Sequence, residues 1–186
     1  MEIKEGIESR RAYRSLDPVI ITDELVQDLA KYAGLAPSCF NKQPWRFVFV
    51  YDREMLNTLF AVMSKGNRWT QNASLIIAVF SEKELDCIVK EREYFLFDTG
   101  MAAGFLILRA TELGLVAHPI AGFDEDEVKR ILQIPEHMRV ITLIICGVKS
   151  GVPSPLLNEK MAEAEDKRPS RLKFEEIAFI NRYNQS

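Results

Sequence analysis

A chain of 186 residues, 47% hydrophobic and 27% charged, has the balance of one soluble globular domain, 1-186, long enough to bury a substantial core. Its net charge of −3 gives no general attraction to nucleic acid or to an anionic membrane. No basic segment followed by an apolar stretch opens the chain, and the longest apolar stretch, around 99–108, is too short to span a bilayer. Cys39, Cys87 and Cys146 are odd in number and share no metal-ligand spacing, so the default reading is a reduced, cytoplasmic chain without a metal. His118 and His137 lack a second His or Cys at ligand spacing. With no G-x-S-x-G, P-loop or G-x-G-x-x-G present, an enzyme built from this sequence needs an organic cofactor to carry its reaction.

In chain order, residues 2–11 read as a short amphipathic helix with Ile3 and Ile7 on one face. Thr22 caps a second helix whose apolar face is Leu25, Leu29 and Tyr32/Ala33. In "APSCFNKQPWRFVFV" (36–50), Pro37 and Pro44 forbid a continuous helix, so an ordered loop leads into a strand at 45–51. A helix follows over 53–63, then the strand "SLIIAVF" at 74–80. Residues 86–113 are the longest helical candidate, closed by Gly114, and apolar nearly all round in the second half. Gly100 and Gly104 there suit close packing, either within the core or across a subunit interface. "GLVAHPI" is a short strand, and Asp124 with Glu127 makes a D-x-x-E capping box for the next helix. "RVITLIICGV" (139–148) suits the middle of a sheet. A polar connector over 149–170 has room for one helix in "LLNEKMAEAED", and the tail "SRLKFEEIAFINRY" is apolar enough to pack on something.

Four segments carry candidate chemistry. Arg10, Arg11 and Arg14 crowd "SRRAYRSLD"; their planar forks suit a phosphate, although such a cluster taken alone reads equally as solvated surface. Ser38, Asn41 and Gln43 offer the donors and acceptors that an amide-edged heterocycle needs, or they simply build a turn. In "HPIAGFD", Pro119, Ile120, Ala121 and Gly122 end a strand just before a capped helix, where free backbone N–H groups favour electron-rich partners. "KRPSR" adds Lys167, Arg168 and Arg171. Cys39 has no histidine near it in sequence and reads as a small packed residue, and "NAS" at 72–74 runs into a buried strand.

Together and in order, "RRAYRSLD", "APSCFNKQPWRFVFV", "LGLVAHPIAGFDEDEVKRIL" and "RPSR" resemble the FMN-dependent nitroreductase family over nearly the whole chain. The resemblance implies an α+β fold, a mostly antiparallel sheet wrapped by helices, in a homodimer with FMN in clefts at the interface. It implies Arg10, Arg11 and Arg171 at the phosphate, and Arg14 at the pyrimidine edge of the ring. Pro37, Ser38, Cys39 and Asn41 would face the flavin from the partner chain. Pro119, Ile120, Ala121 and Gly122 would line it, with the Ala121 N–H near N5, and the tail 168–186 would cross to the partner. Ala12 stands where the family usually has Ser, Cys39 and Phe40 replace small hydroxyl residues, Ala121 replaces a Glu of some relatives, and no basic match is found at 66–69. The implied reaction is ping-pong: NAD(P)H reduces the flavin, then a nitroaromatic, quinone or similar small acceptor is reduced in the same place. A flavin-binding redox sensor without turnover, or other flavin chemistry such as dehalogenation or flavin breakdown, are the alternatives.

Overall fold

The computed structural model describes residues 2–183. Its centre is the strand β7 (Arg139–Lys149), whose register runs antiparallel to β3 (Leu75–Ser81) and to β6 (Val116–Ile120). Both neighbours pair over 143–146, so they lie on opposite edges of β7. Beyond β3 lies β2 (Arg46–Val50), and the short β1 (Leu16–Asp17) pairs with the end of β7. Every pairing is antiparallel, in the order β1-β7-β3-β2 with β6 on β7.

The alternation of side chains splits the core into two layers. Ile76, Ala78, Leu143 and Ile145 face α3 (Arg53–Phe60) and α5 (Glu125–Leu132) through Leu56, Leu59 and Val128. Leu75, Ile77, Val79 and Ile144 face α2 (Asp23–Ala33) and α4 (Phe95–Glu112) through Leu29, Ala33, Leu106 and Ala110. Covered on both faces, β3 is buried along its whole length, which is why its sequence is a continuous apolar run. The α+β, antiparallel architecture expected from the sequence is the one observed.

Local signals explain most element ends. The Thr22 hydroxyl accepts from the Leu25 N–H at the start of α2. Gly114, at φ 79°, closes α4 in a Schellman motif: Leu115 N donates to the Ala110 carbonyl and Gly114 N to that of Thr111. The capping box of α5 is one-sided, because Asp124 accepts from the Glu127 N–H while the Glu127 carboxylate turns outward to Arg130. A helix does form at α6 (Glu159–Asp166), capped by the Asn158 side chain.

Two expectations are corrected. Residues 86–94 are not helical: β4 (Ile88–Val89) and β5 (Arg92–Glu93) form a hairpin, and α4 starts only at Phe95. Lys90 and Glu91 both take positive φ, 49° and 67°, which is the two-residue turn that matches strand twist. Cys39 is not a free packed thiol; it is disulfide-bonded to Cys87, 48 residues away, with Cα atoms 6.0 Å apart. Only Cys146 is free and reduced among the cysteines, buried so fully that its thiol pKa is pushed up to about 12.

The helix α1 (Ile3–Ser9) forms as expected, but its Ile3 and Ile7 stay exposed. Phe97 and Phe105 on α4 are exposed too, and a Cβ added at Gly100 or Gly104 would meet nothing within 4 Å. In the tail, α7 (Phe174–Ile177) leaves Phe174, Ile177 and Ile180 in solvent. The last three residues of the expected crossing tail, 184–186, lie outside the described residues.

Candidate active site

Arg10, Arg11, Ala12, Arg14 and Arg171 line one cleft, together with Ala164, Arg168 and Pro169. The irregular segment after α1 and the end of α6 with the residues that follow it build the cleft from opposite ends of the chain. Arg11 is braced, donating to the carbonyls of Ala164 at 2.8 Å and Glu165 at 3.2 Å. Arg168 donates to the Arg10 carbonyl at 2.9 Å and so closes the cleft. The Glu165 carboxylate accepts from the Ser15 N–H at 2.8 Å, from the Ser15 hydroxyl and from the Arg14 N–H. Burial pushes that carboxyl up, but the Ser15 and Arg14 donors outweigh it and hold the pKa below the usual glutamate value.

The guanidiniums in this cleft repel one another. Burial lowers the pKa of Arg10, and the neighbouring Arg168, Arg171 and Arg11 lower it further. One carboxylate, Glu165, stands near, and its hydrogen bonds go to backbone and hydroxyl donors. A concave, under-neutralised cluster of planar forks is a receptor for a multiply charged oxyanion.

Behind the cleft sits a stack that the sequence did not single out. The Trp69 and His118 rings stack at 4.7 Å, and the Arg14 guanidinium lies 5.9 Å from the Trp69 centroid. His118 Nδ1 meets the Tyr13 carbonyl at 3.0 Å, so β6 is tied to the arginine segment through this ring. Burial lowers the His118 pKa to about 4, the Tyr13 carbonyl opposes that, and Arg14 and Arg10 add to the lowering. The ring is therefore neutral at pH 7 and donates through Nδ1–H. Trp69 Nε1 is buried without an acceptor.

At the far end of β6, the Gly122 carbonyl accepts from Ser64 N at 3.0 Å and Asn67 Nδ2 at 2.9 Å. A Cβ at Gly122 would sit 2.5 Å from Ser64 Oγ and 2.6 Å from Asn67 Nδ2, so any larger residue has to displace those side chains. Pro119 is exposed while Ile120 is buried in the core.

The loop residues Pro37, Ser38, Cys39 and Asn41 do not line the arginine cleft of their own chain. Their polar groups are partly spent within the loop: Ser38 Oγ accepts from Gln43 N at 2.9 Å, and Gln43 Nε2 donates to the Asn41 carbonyl at 3.1 Å. Phe40, Asn41 and Gln43 all have positive φ, and Phe40 is 90% exposed. The Cys39 N–H donates to the buried Asp98 carboxylate at 2.6 Å, which anchors the loop on α4.

Comparison with known proteins gives the family. The sequence pattern of the nitroreductase family matches residues 7–148. A protein of Archaeoglobus fulgidus named "Putative NADH dehydrogenase/NAD(P)H nitroreductase" is 29% identical over 92% of this chain and 96% of its own length. An iodotyrosine deiodinase of Haliscomenobacter hydrossis is 26% identical over 86% of this chain and 85% of its own. Among solved structures, an oxidoreductase containing FMN superposes with a TM-score of 0.85 at 27% identity, covering 100% of this chain and 95% of that one. With most of the chain matched by the family pattern and its fold shared along the full length, the protein belongs to the nitroreductase family.

Proposed function

We infer that the chain is an FMN-dependent NAD(P)H oxidoreductase that reduces nitroaromatics, quinones or similar small acceptors in two alternating half-reactions. The observation that carries this reading is the cleft of Arg10, Arg11, Arg14, Arg168 and Arg171. Their mutual repulsion is relieved by a phosphate monoester, which brings a charge of about −1.5 to −2. FMN, when bound, supplies the two-electron chemistry between NAD(P)H and the acceptor.

The remaining work falls to this chain's own groups. Arg10 and Arg171 hold the phosphate, while Arg11 is braced on α6 and shapes the cleft. Arg14 places a fixed positive charge, seated over Trp69, where negative charge grows on two-electron reduction. The turn 119–122, held by Ser64 and Asn67, offers a rigid backbone wall. Pro37, Ser38, Cys39 and Asn41 complete the site from a second copy, since their own chain keeps them out of its cleft. The exposed apolar side chains of α1, α4 and the tail give such a homodimer its surface, and an obligate interface typically buries about 2,000 Å² or more. A cytoplasmic setting goes with the use of NAD(P)H.

Purified protein is expected to be yellow, to release FMN on denaturation, and to oxidise NAD(P)H with a nitroaromatic acceptor. Colourless protein that cannot be reconstituted with FMN sinks this reading. Light scattering showing a monomer with FMN bound removes the shared site. Because a deiodinase stands among the relatives, a halotyrosine belongs in the acceptor panel; faster turnover with it than with any nitroaromatic or quinone makes reductive dehalogenation the better description.

A further inference from the structure

The corner where the loop 38–43 meets the hairpin β4–β5 holds a second arrangement of reactive groups. Cys39 and Cys87 are bonded there, both partly exposed, and a carboxyl oxygen of Asp86 lies within 4.8 Å of both sulfurs. Asp86 Oδ1 accepts from the Cys87 N–H at 2.8 Å, whereas Oδ2 is buried without a partner. Asp98, on α4, is buried beside it and accepts from the Cys39 N–H at 2.6 Å. Two carboxyl groups thus flank one disulfide, each hydrogen-bonded to the backbone of one of its cysteines.

We propose that Cys39–Cys87 is a reversible thiol–disulfide centre, with Asp86 as the positioned proton donor and acceptor for its sulfurs. Three observations support a reactive bond over a structural staple. Neither bonded segment contributes a strand to the five-stranded sheet, because β4 and β5 pair only with each other. Opening the bond therefore leaves the core intact. Both cysteines are partly exposed, which leaves them open to a small dithiol. The bond also holds a loop that resists its own conformation: Phe40 and Asn41, next to Cys39, are non-glycine residues at positive φ.

The chemistry balances as follows. A thiolate of a dithiol reductant attacks one sulfur, forming a mixed disulfide, and the Cys39–Cys87 bond breaks. The departing sulfur leaves as a thiolate and takes a proton from the Asp86 carboxyl. The second thiol of the reductant gives its proton to the Asp86 carboxylate as it displaces the remaining cysteine, which leaves as a thiolate, and the reductant's own disulfide closes. Two electrons pass from the reductant to the pair. Burial raises the Asp86 pKa, the Cys87 N–H lowers it, and Asp98 raises it again, with Lys42 the opposing cation. A raised pKa makes this carboxyl a readier proton donor to a departing thiolate than a solvent-exposed aspartate. Reduction releases the loop 38–43 from the hairpin, and under the proposed function that loop faces the flavin of the partner; this consequence alone rests on that reading.

The test begins with the wild-type protein purified without reductant. Thiol titration after denaturation should find one thiol, Cys146, and after native dithiothreitol treatment three, with circular dichroism and melting temperature showing the fold retained. Three thiols from the start would overturn the proposal, as would a bond that yields only once the protein unfolds. Zinc retained in stoichiometric amount with both thiols masked would overturn it too, by making Cys39, Asp86 and Cys87 a metal site. In the Asp86→Asn variant, native reduction should slow by about tenfold or more. An unchanged rate removes Asp86 from the chemistry. These readouts involve no flavin, so they stand or fall apart from the oxidoreductase reading.

Discussion

Two corners of this molecule gather like charges, and they handle the repulsion differently. In the cleft after α1, guanidiniums cannot shed their protons at neutral pH, so the strain is left for an anion to relieve. In the corner beside the disulfide a carboxyl can, and burial together with the neighbouring Asp98 raises the Asp86 pKa. Like charge that cannot titrate points to a ligand; like charge that can points to a proton. The two corners should therefore respond to different variables: the cleft to phosphate, the acid pair to pH.

The largest expected effect is on the cleft side. His118 has a folded-state pKa of about 4 against 6.5 for the free side chain. The unfolded chain takes up its proton first as pH falls, so stability is full above pH 6.5 and declines down to pH 4. A shift of that size corresponds to about 3 kcal/mol at the acid end. Urea titrations of wild type and His118→Phe across that window isolate the contribution, since the carboxylates are common to both. Parallel pH profiles would show that His118 is not the group whose charging the fold resists.

Next comes Arg171→Ala, expected to weaken FMN by about 1.5–3 kcal/mol, with the lower end favoured because this side chain is exposed. Riboflavin, which lacks the phosphate, should be nearly unaffected. Equal weakening of both ligands moves Arg171 away from the phosphate. Arg14→Gln tests the same cleft at the reaction rather than at binding. A fixed guanidinium favours the reduced, negatively charged ring over the neutral oxidised one. If that difference is about 2 kcal/mol, its loss lowers the two-electron potential by about 40 mV. An unchanged potential in a variant that still binds FMN would make Arg14 a mere lining residue.

What was legible in the sequence follows the same physical divide. β3 and β7 announce themselves because burial on both faces leaves long apolar runs, Leu75 to Phe80 and Leu143 to Cys146. The arginine cleft was legible as to residue type, and three of its arginines stand within five positions; Arg168 was seen only as part of a basic stretch. The hairpin β4–β5 was not, because its turn is Lys90-Glu91 where glycine or asparagine usually signals positive φ. Nor was the disulfide, whose partners are 48 residues apart, one on a loop anchored to α4 through Asp98 and the other at the start of the hairpin. The Trp69–His118 stack belongs to the same class: two residues on separate elements whose proximity is set by tertiary packing alone. Gly122 was read as room for a ligand; the contacts that a Cβ would make there, with Ser64 and Asn67, were not legible in the sequence.

The smallest expected effect belongs to the acid corner and is the sharpest on mechanism. Asp98→Asn keeps an acceptor for the Cys39 N–H but makes that bond neutral, at a cost of about 1 kcal/mol. It also removes the charge that helps to raise the Asp86 pKa. A carboxyl whose folded-state pKa is raised contributes stability that is complete below its unfolded value of 3.8 and is lost as pH rises through the folded-state value. The wild type should therefore lose a small increment of stability on this side of neutrality, over a window where His118 still works in the opposite sense. In Asp98→Asn that increment should shrink, because Asp86 ionises closer to its ordinary range in the folded protein as well. Subtracting the two pH profiles cancels His118 and every distant carboxylate, leaving what Asp98 contributes, its coupling to Asp86 included. A flat difference across pH 4 to 6.5 would mean that Asp86 and Asp98 do not share their charge, and the contrast between the two corners would then rest on the arginines alone.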